Sequence, residues 1–258
     1  MKSTSDPITL NLDKNAEVNV NAFIAPIEWT INGFHVEWDT LANLRVAEPE
    51  KQYPASVFQA FLPSEAVSVG DHWQIEGDSV LTLLRQLHPN PNLDIGINAG
   101  DSRGLWACLR AYNDQFADIV FRIHAEFNFE DGRFTPSQFT GHFVTDRTGE
   151  KVAFFEMYVP EGPINFDVGW RQEKYSIIDS GLCSQMELRV GTQNPIQDAK
   201  FTEGSITQEE AERILRRRFY KWERINWVPP EQVLDMAQTQ QKPIHVISID
   251  GPLADEAC

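Results

Sequence analysis

The sequence predicts an α+β protein: a β-rich antiparallel domain over residues 1–195, then an amphipathic helix and the beginning of a smaller β/α unit over 196–258. Three observations carry that reading. Residues 117–129, ADIVFRIHAEFNF, alternate apolar and polar side chains without a break, the period of a strand with one face on a core. Turn-forming clusters at Glu130-Asp131-Gly132 and Asp146-Arg147-Thr148-Gly149 cut the chain around them into strand-length pieces, the signature of an antiparallel meander. Beyond residue 205 the period becomes that of an amphipathic helix, in QEEAERILRRRFYKWERI.

In chain order, ITLNLDKNAEVNVNAFI alternates in places, and EWTINGFHVEW predicts a hairpin over Asn32-Gly33. VSVGDHWQI predicts a strand pair pivoting on Gly70-Asp71. DSVLTLLRQLH predicts a helix with Asp78 as N-cap and Val80, Leu81, Leu84 and Leu87 on its buried face, stopped by HPNPN. In the meander, Phe121, Ile123, Ala125, Phe127 and Phe129 face one way and Arg122, His124, Glu126 and Asn128 the other. SQFTGHFVT and KVAFFEMYVP are its next strands, and INFDVGW, KYSIID and MELRVG extend the β region. Thr207 and Glu210 form a capping box for the amphipathic helix. Its acids crowd the first turn and Arg213, Arg216, Arg217 and Arg218 come later, matching the helix dipole, with Leu215, Phe219 and Trp222 as the buried stripe. Pro229-Pro230 break the chain, PEQVLDMAQTQQ gives a second short helix, and the β-branched residues 244–249 read as a strand.

Composition narrows the functions. With 38 acidic against 22 basic residues the net charge is −16, a field that repels phosphate backbones and anionic headgroups and argues against nucleic-acid or membrane-surface partners. No apolar run approaches the roughly 18 residues of a membrane-spanning helix. MKSTSDPITLNLDKN shows no secretory signal. Three scattered cysteines, Cys108, Cys183 and Cys258, make neither a disulfide framework nor a cysteine-based zinc site. The expected location is a reducing, cytoplasmic compartment.

The chemically interesting residues are few. A helix, a strand and then Cys258 match the front third of a thioredoxin-like unit, in which the reactive chalcogen sits at the N-terminus of the following helix. His124 and Glu126 share a strand face and His142 lies on the neighbouring strand, so three metal-type ligands could converge. The competing reading, which we prefer, is a polar sheet face with Arg122 and Glu156 as ion-pair partners, or the surface on which the C-terminal unit docks. Cys108, in LWACLRAY, reads as a small buried apolar residue, and Cys183, in SGLCSQ, as an exposed turn thiol without a local base. His72, Glu76 and His245 read as structural.

From about Ala117 onward the chain resembles the selenoprotein N family. FRIHAEF, FTPSQFTGH, MYVP through INFDVGW, QMEL and the long stretch EEAERILRRRFYKWERINWVPPEQVLDMAQTQQKPIHVISIDGPLADEAC carry the resemblance, and residues 1–116 carry little of it. In that family a Ser-Cys-Sec-Gly redox motif follows a strand and an acidic loop. The resemblance puts Ala257 at the serine position, Cys258 at the cysteine position, and selenocysteine at the position after Cys258. It implies a thiol–disulfide (selenol) oxidoreductase: the selenolate attacks a disulfide-bearing protein or a peroxide, Cys258 resolves the intermediate, and a thiol reductant restores the pair. Because selenocysteine is encoded by UGA, a chain read to that codon stops on cysteine, and the 258 residues are expected to be inactive for lack of a complete site. The rival expectation is a non-catalytic protein- or ligand-binding β domain with a structural tail. The animal family's calcium-binding EF-hand does not carry over, because no glycine here sits in the D-x-[DN]-x-[DN]-G-x₅-E pattern.

Overall fold

The alternating stretch 117–129 folds as two strands in two different sheets. In a computed structural model that describes residues 6–94, 104–173, 175–192, 194–196, 201, 204–219, 225 and 227–246, the chain leaves one sheet at Ile123 and enters the other at Glu126. The apolar side of the alternation holds throughout: Phe121, Ile123, Ala125, Phe127 and Phe129 all lie in one shared core.

The elements run β1 (Glu17–Ile24), β2 (Trp29–Thr30), α1 (Phe34–Glu37), α2 (Asp39–Ala42), β3 (Glu50–Pro54), a 3₁₀ turn over Ala55–Phe61, β4 (His72–Gln74), α3 (Gly77–Leu87) and β5 (Pro91–Asn92). Then come β6 (Leu105–Tyr112), β7 (Phe116–Ile123), β8 (Glu126–Phe129), β9 (Gly132–Pro136), β10 (Phe139–Asp146) and β11 (Lys151–Tyr158). The chain continues through β12 (Phe166–Arg171), β13 (Ser176–Leu182), β14 (Met186–Val190), β15 (Gly204–Ser205), α4 (Gln208–Phe219) and α5 (Pro230–Gln240). Among the described residues these strands make a nine-stranded sheet, β15-β6-β7-β10-β11-β14-β1-β3 with β4 also on β6, and a six-stranded sheet, β2-β13-β12-β9-β8-β5. Every strand pairing in both is antiparallel. The expected α+β class with a β-rich antiparallel domain is what the chain adopts.

Phenylalanines fill the space between the sheets. Phe61 sits edge-on to Phe121 at 4.9 Å and to Phe155 at 5.4 Å, and Phe134 stacks on Phe166 at 4.6 Å. Such pairs add about 0.5–1.5 kcal/mol each beyond the area they bury. The amphipathic α3 contributes Val80, Leu83, Leu84 and Leu87, so Leu83 takes the inward place read for Leu81, which is only half-buried. The Asp78 cap is also displaced: the helix begins at Gly77 with Glu76 at the cap position, and Asp78 stands in the first turn.

Two turns differ from expectation. Asn32-Gly33 does not close a hairpin, because Asp179 on β13 accepts hydrogen bonds from the Asn32 and Phe34 backbone N–H groups at 2.9 and 3.3 Å and leads the chain into α1. Gly70-Asp71 is a turn, with Gly70 at φ 87°, but the strand after it pairs with β6 and not with the segment before it.

α4 begins as read. Thr207 Oγ1 accepts from the Glu210 N–H at 3.1 Å, the capping bond of the box. Ala211 and Leu215 pack on Cys108 and Val120, on the face of the nine-stranded sheet opposite the main core. The helix placed in the second unit is therefore seated on the first, and β15 just before it is hydrogen-bonded to β6. α5 buries none of its residues. Residues 244–246 have no sheet partner among the described residues and are exposed, Val246 to 80%, so the expected strand is not formed over that half; 247–249 lie outside the described residues.

Candidate functional site

The polar side of the 117–129 alternation is divided by the strand break. Asp118 and Arg122 of β7 point under α4, as does His124 in the crossing segment, whereas Glu126 and Asn128 of β8 lie on the outward face of the six-stranded sheet. Asp118, fully buried, is the centre of the layer under α4. It accepts from Arg110 Nε and bonds His142 Nδ1 at 2.8 Å, and His142 Nε2 reaches Gln208 Oε1 in the first turn of α4 at 3.0 Å. Burial pulls the His142 pKa down, but the hydrogen bond and charge of Asp118 and the bond to Gln208 outweigh it, and the net direction is up. A protonated His142 can donate from both ring nitrogens, to Asp118 and to Gln208, which fastens α4 to the sheet.

Under the last turn of α4, Arg122 Nε donates to His124 Nε2 at 3.0 Å and Arg122 Nη2 to Gln138 Oε1 at 3.2 Å. The His124 ring stacks on Phe219 at 3.8 Å between centroids. Gly104, at φ 72°, makes room for that stack, since a Cβ there would lie 2.8 Å from His124 Cδ2 and 2.9 Å from Phe219. Burial, and then the neighbouring Arg122 charge, hold the His124 pKa well below its usual value, so the ring is neutral.

The three metal-type candidates are not brought together. His124 meets Arg122 and Phe219, Glu126 accepts from Asn92 Nδ2 at 2.8 Å, and His142 sits between Asp118 and Gln208. Among the described residues no three His, Cys, Asp or Glu side chains form a metal-binding group. Glu156, read as an ion-pair partner on this face, pairs with Arg189 at 3.0 Å, and Arg122 bonds His124 and Gln138.

The β-domain thiols are inert. Cys108 is buried beneath α4, and burial first, then nearby Asp71 and Asp118, push its pKa up to about 12. Cys183 is buried as well, contrary to the exposed turn thiol expected, with its pKa raised by burial to about 11. Asn165 fixes it there, donating to the Cys183 carbonyl at 2.9 Å and accepting from its N–H at 2.8 Å. Since the thiolate is the reactive form, neither is a nucleophile near neutral pH. Cys258 lies outside the described residues, and His245 is exposed. His72 accepts from Arg218 Nε of α4 at 2.6 Å, a structural role.

Sequence reasoning missed Asp118, Arg110 and Gln208. The available signal was an aspartate between Ala117 and Ile119, inside an otherwise apolar strand, where a charge is kept only if paired.

No family model matches the chain, and no solved structure does. Curated proteins do match. Selenoprotein N of Danio rerio is 29% identical over 275 residues, covering 83% of this chain and 48% of the relative. Selenoprotein N of Mus musculus is 27% identical over 279 residues, covering 86% and 49%, and that of Homo sapiens 26% identical over 270, covering 82% and 45%. The chain spans about half the length of these relatives. No helix among the described residues is long and apolar enough to cross a membrane. The matches take in more than four-fifths of the chain and bear out the resemblance read from its motifs: over that extent the chain is similar to selenoprotein N.

Proposed function

We propose that the chain belongs to a thiol–disulfide (selenol) oxidoreductase of the selenoprotein N type, with its chemistry at Cys258 and the position after it and its β domain as the platform. The observation that carries this reading is the similarity to selenoprotein N over more than four-fifths of the chain, joined to the resemblance under which Cys258 would stand at the cysteine of the Ser-Cys-Sec-Gly pattern, with Ala257 in place of its serine. The inert Cys108 and Cys183 support it by elimination, because neither supplies a thiolate. In the proposed cycle the selenolate attacks a sulfur of a substrate disulfide, forming a selenenyl sulfide and releasing one thiolate. Cys258 then attacks the selenenyl sulfide, releasing the second thiol and leaving a selenium–sulfur bond that an external dithiol reduces. With a peroxide, the selenolate becomes a selenenic acid and Cys258 closes the same bond with loss of water. The proposed partners are thus a disulfide-bearing protein or a peroxide, and a thiol reductant, in a reducing cytoplasmic setting. The thioredoxin-like character of residues 196–258 is part of the proposal.

The codon after Cys258 tests it. UGA followed by a glycine codon and a further α/β pattern is expected. UAA or UAG at that position removes the basis for the redox reading and leaves the binding-domain alternative.

A further inference from the structure

We propose that the outward face of the six-stranded sheet carries a binding trough for a small carboxylate-bearing molecule, held by Arg133 and Arg171 above Gly169. The register puts Asn128, Arg133, Gly169 and Ile178 in one row across β8, β9, β12 and β13. The glycine removes a side chain from the middle of that row. The result is a hollow of about 270 Å³ with Glu126 and Asn128 at one end, Arg171 and Ser176 at the other, and Ile178, 65% exposed, as an apolar wall.

Gly169 is not required by the fold. Other strand glycines are: a Cβ would stand 2.3 Å from the Gly169 carbonyl oxygen at Gly132, 1.7 Å from that of Glu156 at Gly141, and 2.6 Å from that of Trp29 at Gly181. At Gly169 the nearest atom to a Cβ is Arg133 Nε at 3.4 Å, the far end of a flexible side chain, and its φ is not positive. A glycine in a strand interior costs stability and packs nothing, and where the backbone does not demand one it marks a place where something else approaches.

The charges point the same way. Arg133 and Arg171 are diagonal neighbours on one face, about 7–8 Å apart at Cα in such a ladder, where like charges repel. Among the described residues neither guanidinium is in ion-pair contact with a carboxylate. Burial raises the pKa of Asp167 against the opposing pull of Ser180 and the Arg133 charge, and that carboxylate is engaged by Ser180 Oγ at 2.5 Å, while Glu126 is engaged by Asn92. In a chain of net charge −16, two arginines that line one hollow without a carboxylate in ion-pair contact form the local exception. A guanidinium is a planar fork that matches a carboxylate bidentately, and two of them over a flat floor hold one carboxylate while Ile178 takes an apolar flank. The hollow is slightly smaller than ordinary ligand pockets of roughly 300–1,000 Å³, which restricts it to a small molecule.

Calorimetric titration of the 258-residue protein with succinate, inorganic phosphate and neutral succinamide tests this. Saturable succinate binding in the millimolar range is expected, weakened by salt, with no heat from succinamide. Arg133→Gln and Gly169→Leu should each weaken it roughly tenfold or more. The wild-type melting temperature should be kept in Gly169→Leu and kept or raised in Arg133→Gln, since removing one of two repelling charges costs the fold nothing. Arg171→Gln repeats the test should Gly169→Leu fold poorly. Absence of saturable succinate binding, tighter binding of phosphate, loss in only one kind of variant, or a lowered melting temperature in Arg133→Gln would each overturn the proposal.

Discussion

Asp118 holds together a set of charges that would otherwise be stranded. It is fully buried, it faces Arg110 and His142, and through His142 it reaches the first turn of α4. Removing one partner of a buried pair leaves the other uncompensated, at a cost of about 3–5 kcal/mol. Asp118→Ala should therefore lower the unfolding free energy by about that amount in urea titration, and a loss below about 1 kcal/mol would show that the layer is not structural. The two buried histidines of the layer titrate in opposite senses. His124 has a lowered pKa, so the unfolded chain takes up a proton near 6.5 that the folded one refuses; its stabilisation is complete above that value and is lost as pH falls below it. His142 has a raised pKa, so its stabilisation is complete below 6.5 and fades as pH rises through the raised value. Acidification from about pH 7 to pH 5 should thus be shallower in effect for His124→Gln than for the wild type, and steeper for His142→Gln. At this scale the sequence disclosed which side of the strand was polar but not its partners. Arg110 and Gln208 lie 8 and 90 positions from Asp118 along the chain, and only the sheet register and the helix position join them.

Among elements, α4 was the most legible, because its cap, charge order and the Leu215 and Phe219 part of its apolar stripe act within a few residues of one another, Trp222 lying outside the described residues. Thr207→Ala should cost about 1 kcal/mol of stability. Cys108 reports on the docking of α4, since Ala211 and Leu215 cover it. Leu215→Ala should speed Cys108 alkylation under native conditions, whereas Leu234→Ser on the uncovered α5 should leave it unchanged and shift stability by no more than about 0.5 kcal/mol. Equal protection of Cys108 in Leu215→Ala would mean that the sheet alone shields the thiol. Elements decided by distant partners were less legible. The turn chemistry of Asn32-Gly33 was overridden by Asp179, which lies 147 residues from Asn32. The crossing at His124-Ala125 keeps the alternation intact while changing sheets, so no break in the pattern marks it.

For the molecule as a whole, the chain passes repeatedly between two antiparallel sheets that share one core, and it uses their outer surfaces differently. Beside the main core, the nine-stranded sheet carries α4 over a layer of paired charges; the six-stranded sheet has a hollow lined by Arg133, Gly169 and Arg171. Neither surface presents a reactive thiol, which leaves the proposed chemistry to the C-terminal cysteine. The most direct measurement is peptide mapping by mass spectrometry after the folded protein, extended past Cys258 through the following codon, is oxidised with stoichiometric peroxide and its remaining thiols are alkylated. The account predicts a bond between Cys258 and the residue after it, with Cys108 and Cys183 reduced and alkylated only after denaturation. Oxidation at Cys108 or Cys183 in the folded protein, with Cys258 left as a free thiol, would contradict it.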